Sequence, residues 1–125
     1  MPEITIRQKT ERERAQYAWE IISRVKHEQY KEKYLSYVKS ASSLILTNGL
    51  LQTLAFWKAK SNGESNSAFA YSCLLRDINN MVLGESGDFF QLCKDTADLD
   101  QYREYTRLSL ASLTWLKRFA EAELK

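Results

Sequence analysis

The chain is almost empty of helix breakers: its 125 residues include one proline, at position 2, and four glycines. Proline fixes φ and removes an amide donor, and glycine loosens the backbone, so long stretches without either leave helices free to extend. A many-stranded β architecture would need turn residues at short intervals, and they are missing. An apolar share of 44% and a charged share of 27% are globular values, which points to a packed core and away from disorder. At this length one core suffices, so a single helical domain over 1–125 is expected.

No apolar run approaches the length that crosses a bilayer, and Met1 to Thr10 is mixed polar and charged, unlike a basic patch leading into an apolar signal core. The expected location is the cytoplasm, with no membrane partner. Cys73 and Cys93 form no CxxC pair and fall in helical stretches, where buried free thiols are expected. His27, the one histidine, lies between Lys26 and Glu28, so a zinc site would lack ligands and no cofactor is expected.

Apolar residues recurring at three- and four-residue steps place the helices. Ala15, Ala18, Ile22 and Val25 define one face of a first helix from about Thr5 to His27. Its start is either Thr5 with Gln8 or Thr10 with Glu13, each a capping-box pair. Tyr30, Tyr34 and Tyr37 mark a shorter second helix from about Glu28 to Lys39, with the aromatic row as its buried face.

Between Leu44 and Trp57 two readings compete. Asn48-Gly49 between apolar runs is a hairpin signal. Against it, Leu51, Leu54, Ala55 and Lys58 keep helical spacing, with Thr47 or Asn48 as a cap. An isolated hairpin is marginally stable and no other strands exist to join it, which favours two helices or one bent helix.

Ser61 to Ser67 reads as a loop, being rich in residues that favour turns. A helix through Ala70, Leu74, Ile78 and Met81 stops at Gly84, and a short one runs from Asp88 to about Lys94. The last starts near Asp98, and its apolar positions Leu108, Ala111, Trp115, Phe119 and Ala122, flanked by Leu113, Leu116 and Ala120, cover more than a single stripe. The expected fold is an all-α bundle of about five or six helices.

Chemistry is harder to find. A nucleophile needs a base within reach, and one histidine in a charged stretch does not supply a triad. Asp95, Asp98 and Asp100, with Asp88, are the only local carboxylates for metal-assisted phosphodiester chemistry, and a nuclease built on them is one reading. Acids at helix starts more simply stabilise helix amino ends. No catalytic or metal-binding residue is assigned, and the chain is not expected to be an enzyme.

Charge placement says more than the net value of +2. From Lys33 to Gly63 there is no acid, while Lys33, Lys39, Lys58 and Lys60 give +4; from Asp77 to Glu104 seven acids face Lys94 and Arg103, giving −5. Such polarity suits head-to-tail association of identical copies, and equally suits two solvated faces that never meet. Basic residues also accompany aromatics, in Trp57-Lys58-Ala59-Lys60 and in Trp115-Leu116-Lys117-Arg118-Phe119. Trp115 and Phe119 read as core and Trp57 is undecided; Lys58, Lys60, Lys117 and Arg118 are candidates for phosphate contact.

Three segments carry a resemblance: Arg14-Ala15-Gln16-Tyr17-Ala18-Trp19-Glu20, Leu46 to Phe56 with Lys58-Ala59-Lys60, and Trp115 to Ala120. Together they resemble the small-subunit family of the Cmr complex, the type III-B CRISPR effector, in order and at suitable spacing over essentially the whole chain. The chain departs from the family pattern at Leu51, where relatives often carry another glycine, and at Ala41, where a proline is common.

The resemblance implies an all-helical, non-catalytic small subunit that stacks along the complex in antiviral defence. Its partners would be the other Cmr subunits, guide RNA and target RNA. Carried over, the basic positions are Arg14, Lys58, Lys60, Lys117 and Arg118, with Lys39 added from the acid-free stretch; they would neutralise RNA phosphates without reading bases. The competing reading is a helical adaptor that binds only protein.

Overall fold

The computed structural model describes residues 10–125 and has six helices and no strand among them. They are α1 (Glu11–Val25), α2 (Lys31–Asn48), α3 (Leu50–Lys60), α4 (Asn66–Val82), α5 (Phe89–Asp95) and α6 (Leu99–Glu123). The fold is all-α, as the scarcity of breakers requires.

Thr10 opens α1. Its hydroxyl accepts from the Glu13 amide at 3.1 Å, and the Glu13 carboxylate accepts from the Thr10 amide at 3.2 Å, which is a full capping box. The other expected start, Thr5 with Gln8, lies outside the described residues. The second helix does not end near Lys39 but runs to Asn48. Tyr34, Val38, Ala41 and Ile45 form one unbroken buried stripe, and alanine at 41 lets the helix pass where a proline would stop it. In the tyrosine row Tyr34 is buried, whereas Tyr30 and Tyr37 are half-buried.

Gly49 separates α2 from α3 at φ 88° and ψ 159°, a backbone region open essentially to glycine alone. The chain therefore turns between two helices here, and the hairpin reading is overturned. Neither Thr47 nor Asn48 caps α3. The Leu51 amide donates instead to the Tyr102 hydroxyl of α6 at 2.8 Å, and the Thr53 hydroxyl donates to the Gly49 carbonyl at 2.8 Å. A distant tyrosine takes the place of a local cap, which no sequence window would reveal.

Ser65, Asp88 and Asp98 cap α4, α5 and α6 through their side-chain oxygens. Because Ser65 caps α4, the loop ends there, before Ser67. Asn79 fastens α4 to α5: its amide nitrogen donates to the Gly84 and Gly87 carbonyls, and its oxygen accepts from the Phe89 amide at 2.6 Å.

One cluster of buried apolar side chains draws on all six helices, with α6 packed against α1, α2 and α4. The buried face of α6 is Leu108, Ser109, Ser112, Leu113, Leu116 and Ala120. Of the expected apolar positions, Leu108, Leu113, Leu116 and Ala120 are buried, whereas Ala111, Trp115 and Phe119 are half-buried at the margin and Ala122 is exposed. Trp57 is the opposite case and is fully buried in the core. Cys73 and Cys93 are buried free thiols, as expected, and burial pushes the Cys93 thiol up to about 12.

Candidate nucleic-acid interface

Successive residues on a helix are about 100° apart, so Lys58 and Lys60 cannot share a direction. Lys58 leans toward α5, its Nζ 4.8 Å from the Phe90 ring centre. Lys60 leans the other way, its Nζ 5.7 Å from the ring centre of Phe56. Lys39 is exposed on α2, and Lys117 and Arg118 are exposed on α6. These five groups are spread over three helices, α2, α3 and α6.

Arg14 differs. It is 7% exposed, and its guanidinium donates to the Glu11 carboxylate one turn earlier. Buried and already neutralised, it offers RNA little charge, and it is set apart from the other five.

The acidic stretch is also altered by folding. Asp77 is buried, accepting from Arg24 at 2.8 Å and from the Tyr34 hydroxyl at 2.8 Å, with Cys73 against the same carboxylate. Burial raises the Asp77 carboxyl above its usual range, opposed by the Tyr34 hydrogen bond and the Arg24 and Arg76 charges. Asp77 therefore holds α1, α2 and α4 together and adds nothing to a surface field. Asp88 and Asp98 serve as caps, and Asp95 accepts from Gln91 at 2.9 Å.

Lys58 lines a cleft of 450 Å³ between α3, α4 and α5, together with Arg76, Glu85, Asp88 and Phe90. Basic and acidic stretches thus meet at this cleft, so the two charges do not lie wholly on opposite poles.

A second feature is not visible in the sequence pattern. Trp19 is 45% exposed and meets Phe119 edge-on at 5.3 Å; Trp115 lies 5.7 Å from Phe119, and its indole donates to Glu11 at 2.9 Å. This aromatic patch joins α1 to α6 beside Lys117 and Arg118. Helical periodicity alone assigns two of its rings to the core.

The fold is shared with a solved structure. A CRISPR-associated Cmr5 family protein from Thermus thermophilus superposes with a TM-score of 0.79 at 29% identity, over 94% of this chain and 100% of that one. The model of the family described as CRISPR-associated protein (Cas_Cmr5) matches residues 10–123. The chain belongs to the Cmr5 family. Membership makes it a small subunit of the Cmr, or type III-B, complex of CRISPR defence, with the other Cmr subunits as partners. Within this Cmr5 fold the matched region takes in every candidate basic residue, and among the described residues no helix is long and apolar enough to cross a membrane.

Proposed function

We propose that this subunit is non-catalytic and stacks along the Cmr complex, where Lys39, Lys58, Lys60, Lys117 and Arg118 contact the phosphates of guide and target RNA. One observation carries the reading. Each of the five is exposed, has no carboxylate partner among the described residues and has no acid as a sequence neighbour. Other cations are neutralised: Arg24 by Asp77, Lys26 by Glu123, Arg103 by Asp100 and Arg107 by Glu104. Of the other unpaired lysines among the described residues, Lys31 and Lys33 stand next to Glu32 and Lys94 next to Asp95, while Lys125 alone shares the pattern of the five. Contacts of this kind fix position without reading sequence, as a subunit serving many guides requires.

The test is charge reversal in the assembled complex. Lys58→Glu with Lys60→Glu weakens RNA binding and flattens its salt dependence, since each lost phosphate contact lowers the number of counterions released. Unchanged binding at every salt concentration overturns the reading.

A protein-only adaptor is favoured by one separate observation, the patch of Trp19, Trp115 and Phe119 with Glu11 in contact. An exposed aromatic patch containing a carboxylate suits a protein partner better than a polyanion. If the charge-reversed subunit assembles and binds RNA like wild type while Trp19→Ala blocks assembly, the adaptor is the correct description.

A further inference from the structure

Away from that patch, three rings from three helices form a second row. Tyr37 of α2 stacks on Tyr71 of α4 with ring centres 3.9 Å apart and planes 9° from parallel. Phe56 of α3 meets Tyr71 edge-on at 6.0 Å. The Tyr37 hydroxyl is tied to the Ser67 hydroxyl at 2.6 Å, so the inner end of the row is pinned. The outer end is open: Phe56 is 43% exposed.

Lys60 lies over the Phe56 ring, and Lys33 stands one turn before Tyr37 on α2. Tyr37 and Phe56 both belong to the 33–63 stretch, which contains no acid. A ring held rigid by its neighbours, open to solvent and flanked by lysines combines the two elements of a single-strand site, a stacking platform and a phosphate contact. A ring in this setting is unsuited to an acidic protein surface alone, which would leave its exposed face without a partner. The Trp19 patch, by contrast, has a carboxylate, Glu11, in contact.

We propose that Phe56, braced by Tyr71 and Tyr37, stacks an unpaired base of single-stranded RNA while Lys60 holds the adjoining phosphate. This deepens the phosphate-contact reading and rests on it: the lysine supplies salt-dependent attraction, and the ring distinguishes an unpaired base from a paired one. Stacking is tolerant of base identity, so the site selects for unpaired structure and not for sequence.

The experiment uses the purified full chain with a short RNA carrying 2-aminopurine, either as a single strand or annealed to its complement. Stacking on Phe56 quenches the probe in the single strand. Phe56→Leu keeps apolar bulk and removes the aromatic face; it and Phe56→Ala are expected to weaken single-strand binding roughly five- to 150-fold and abolish the quenching. Phe56→Trp retains both, and duplex affinity stays at the wild-type value. Wild-type binding and quenching by Phe56→Leu overturn the inference, as does equal weakening toward single strand and duplex. Normal RNA binding by Phe56→Leu with failure to enter the Cmr complex also overturns it, in favour of a protein-facing row. Salt-dependent binding that ignores Phe56 defeats the stacking site alone, as does absence of RNA binding by the wild-type chain, whereas the phosphate reading beneath it falls when charge reversal leaves RNA binding by the assembled complex unchanged.

Discussion

Arg24 on α1 donates to Asp77 on α4 at 2.8 Å, and the carboxylate it meets is buried whereas the arginine side chain is half exposed. The Tyr34 hydroxyl completes the arrangement from α2, so three helices converge on one acid. Asp77→Ala strands a fully buried hydroxyl and a guanidinium without their acceptor. The expected loss is about 2–3 kcal/mol, toward the lower part of the range for buried pairs because water reaches Arg24. Urea denaturation checks this, and a loss below about 0.5 kcal/mol would show that the network is dispensable.

Gly49→Ala is expected to cost about 1–3 kcal/mol through backbone strain. A Cβ placed there meets only the Tyr102 hydroxyl at 3.9 Å, an ordinary contact, so crowding is not the cause. Thermal unfolding distinguishes the two accounts: Tyr102→Phe with Gly49→Ala should not restore the lost stability.

These two positions show what a sequence can reveal here. The Asn48-Gly49 signal marks a sharp turn correctly, and the helical spacing after it, with no other strand to join a hairpin, already favours helices; the Tyr102 hydroxyl that takes the place of a cap is what the sequence does not show. Capping residues such as Thr10, Asp88 and Asp98 are legible because their partners are local. Helix α2 extends beyond its expected end because Ser40, Ser42 and Ser43 weaken local propensity, whereas Ala41 and Ile45 recover it by burial. For the candidate site, the basic residues are visible in the sequence but their grouping is not. Lys58 and Lys60 are neighbours in sequence and diverge on the helix, and Arg14 is neutralised by Glu11.

Trp57 offers a contrast between size and polarity. It is fully buried, and its indole N–H has no hydrogen-bond partner among the described residues. Trp57→Ala should cost about 3–5 kcal/mol through the cavity it leaves. Trp57→Phe removes the stranded donor together with part of the volume, and the two effects oppose each other, so its cost is expected to be below about 1.5 kcal/mol. Equal losses in chemical denaturation would contradict this.

The Cys93 thiol keeps its proton in the fold until about pH 12, because burial disfavours the thiolate. In the unfolded chain the same thiol ionises near pH ~8.5. The folded-state value is the higher one, so the stabilising contribution is complete below the unfolded value and declines as pH rises from there toward the folded value. Wild type should therefore lose stability relative to Cys93→Ala across that alkaline window, as followed by denaturation at successive pH values. A constant difference would contradict the shift.

The central claim is that exposed, unpaired basic residues hold RNA by its phosphates. Its most direct measurement is the slope of log binding constant against log salt for Cmr complexes carrying either the wild-type subunit or one with Lys39, Lys58, Lys60, Lys117 and Arg118 replaced by glutamine. Subunit content is matched beforehand. The expected result is weaker binding with a slope shallower by about 0.9 for each duplex phosphate contact removed. Identical affinity and identical slope in the two complexes would contradict the claim.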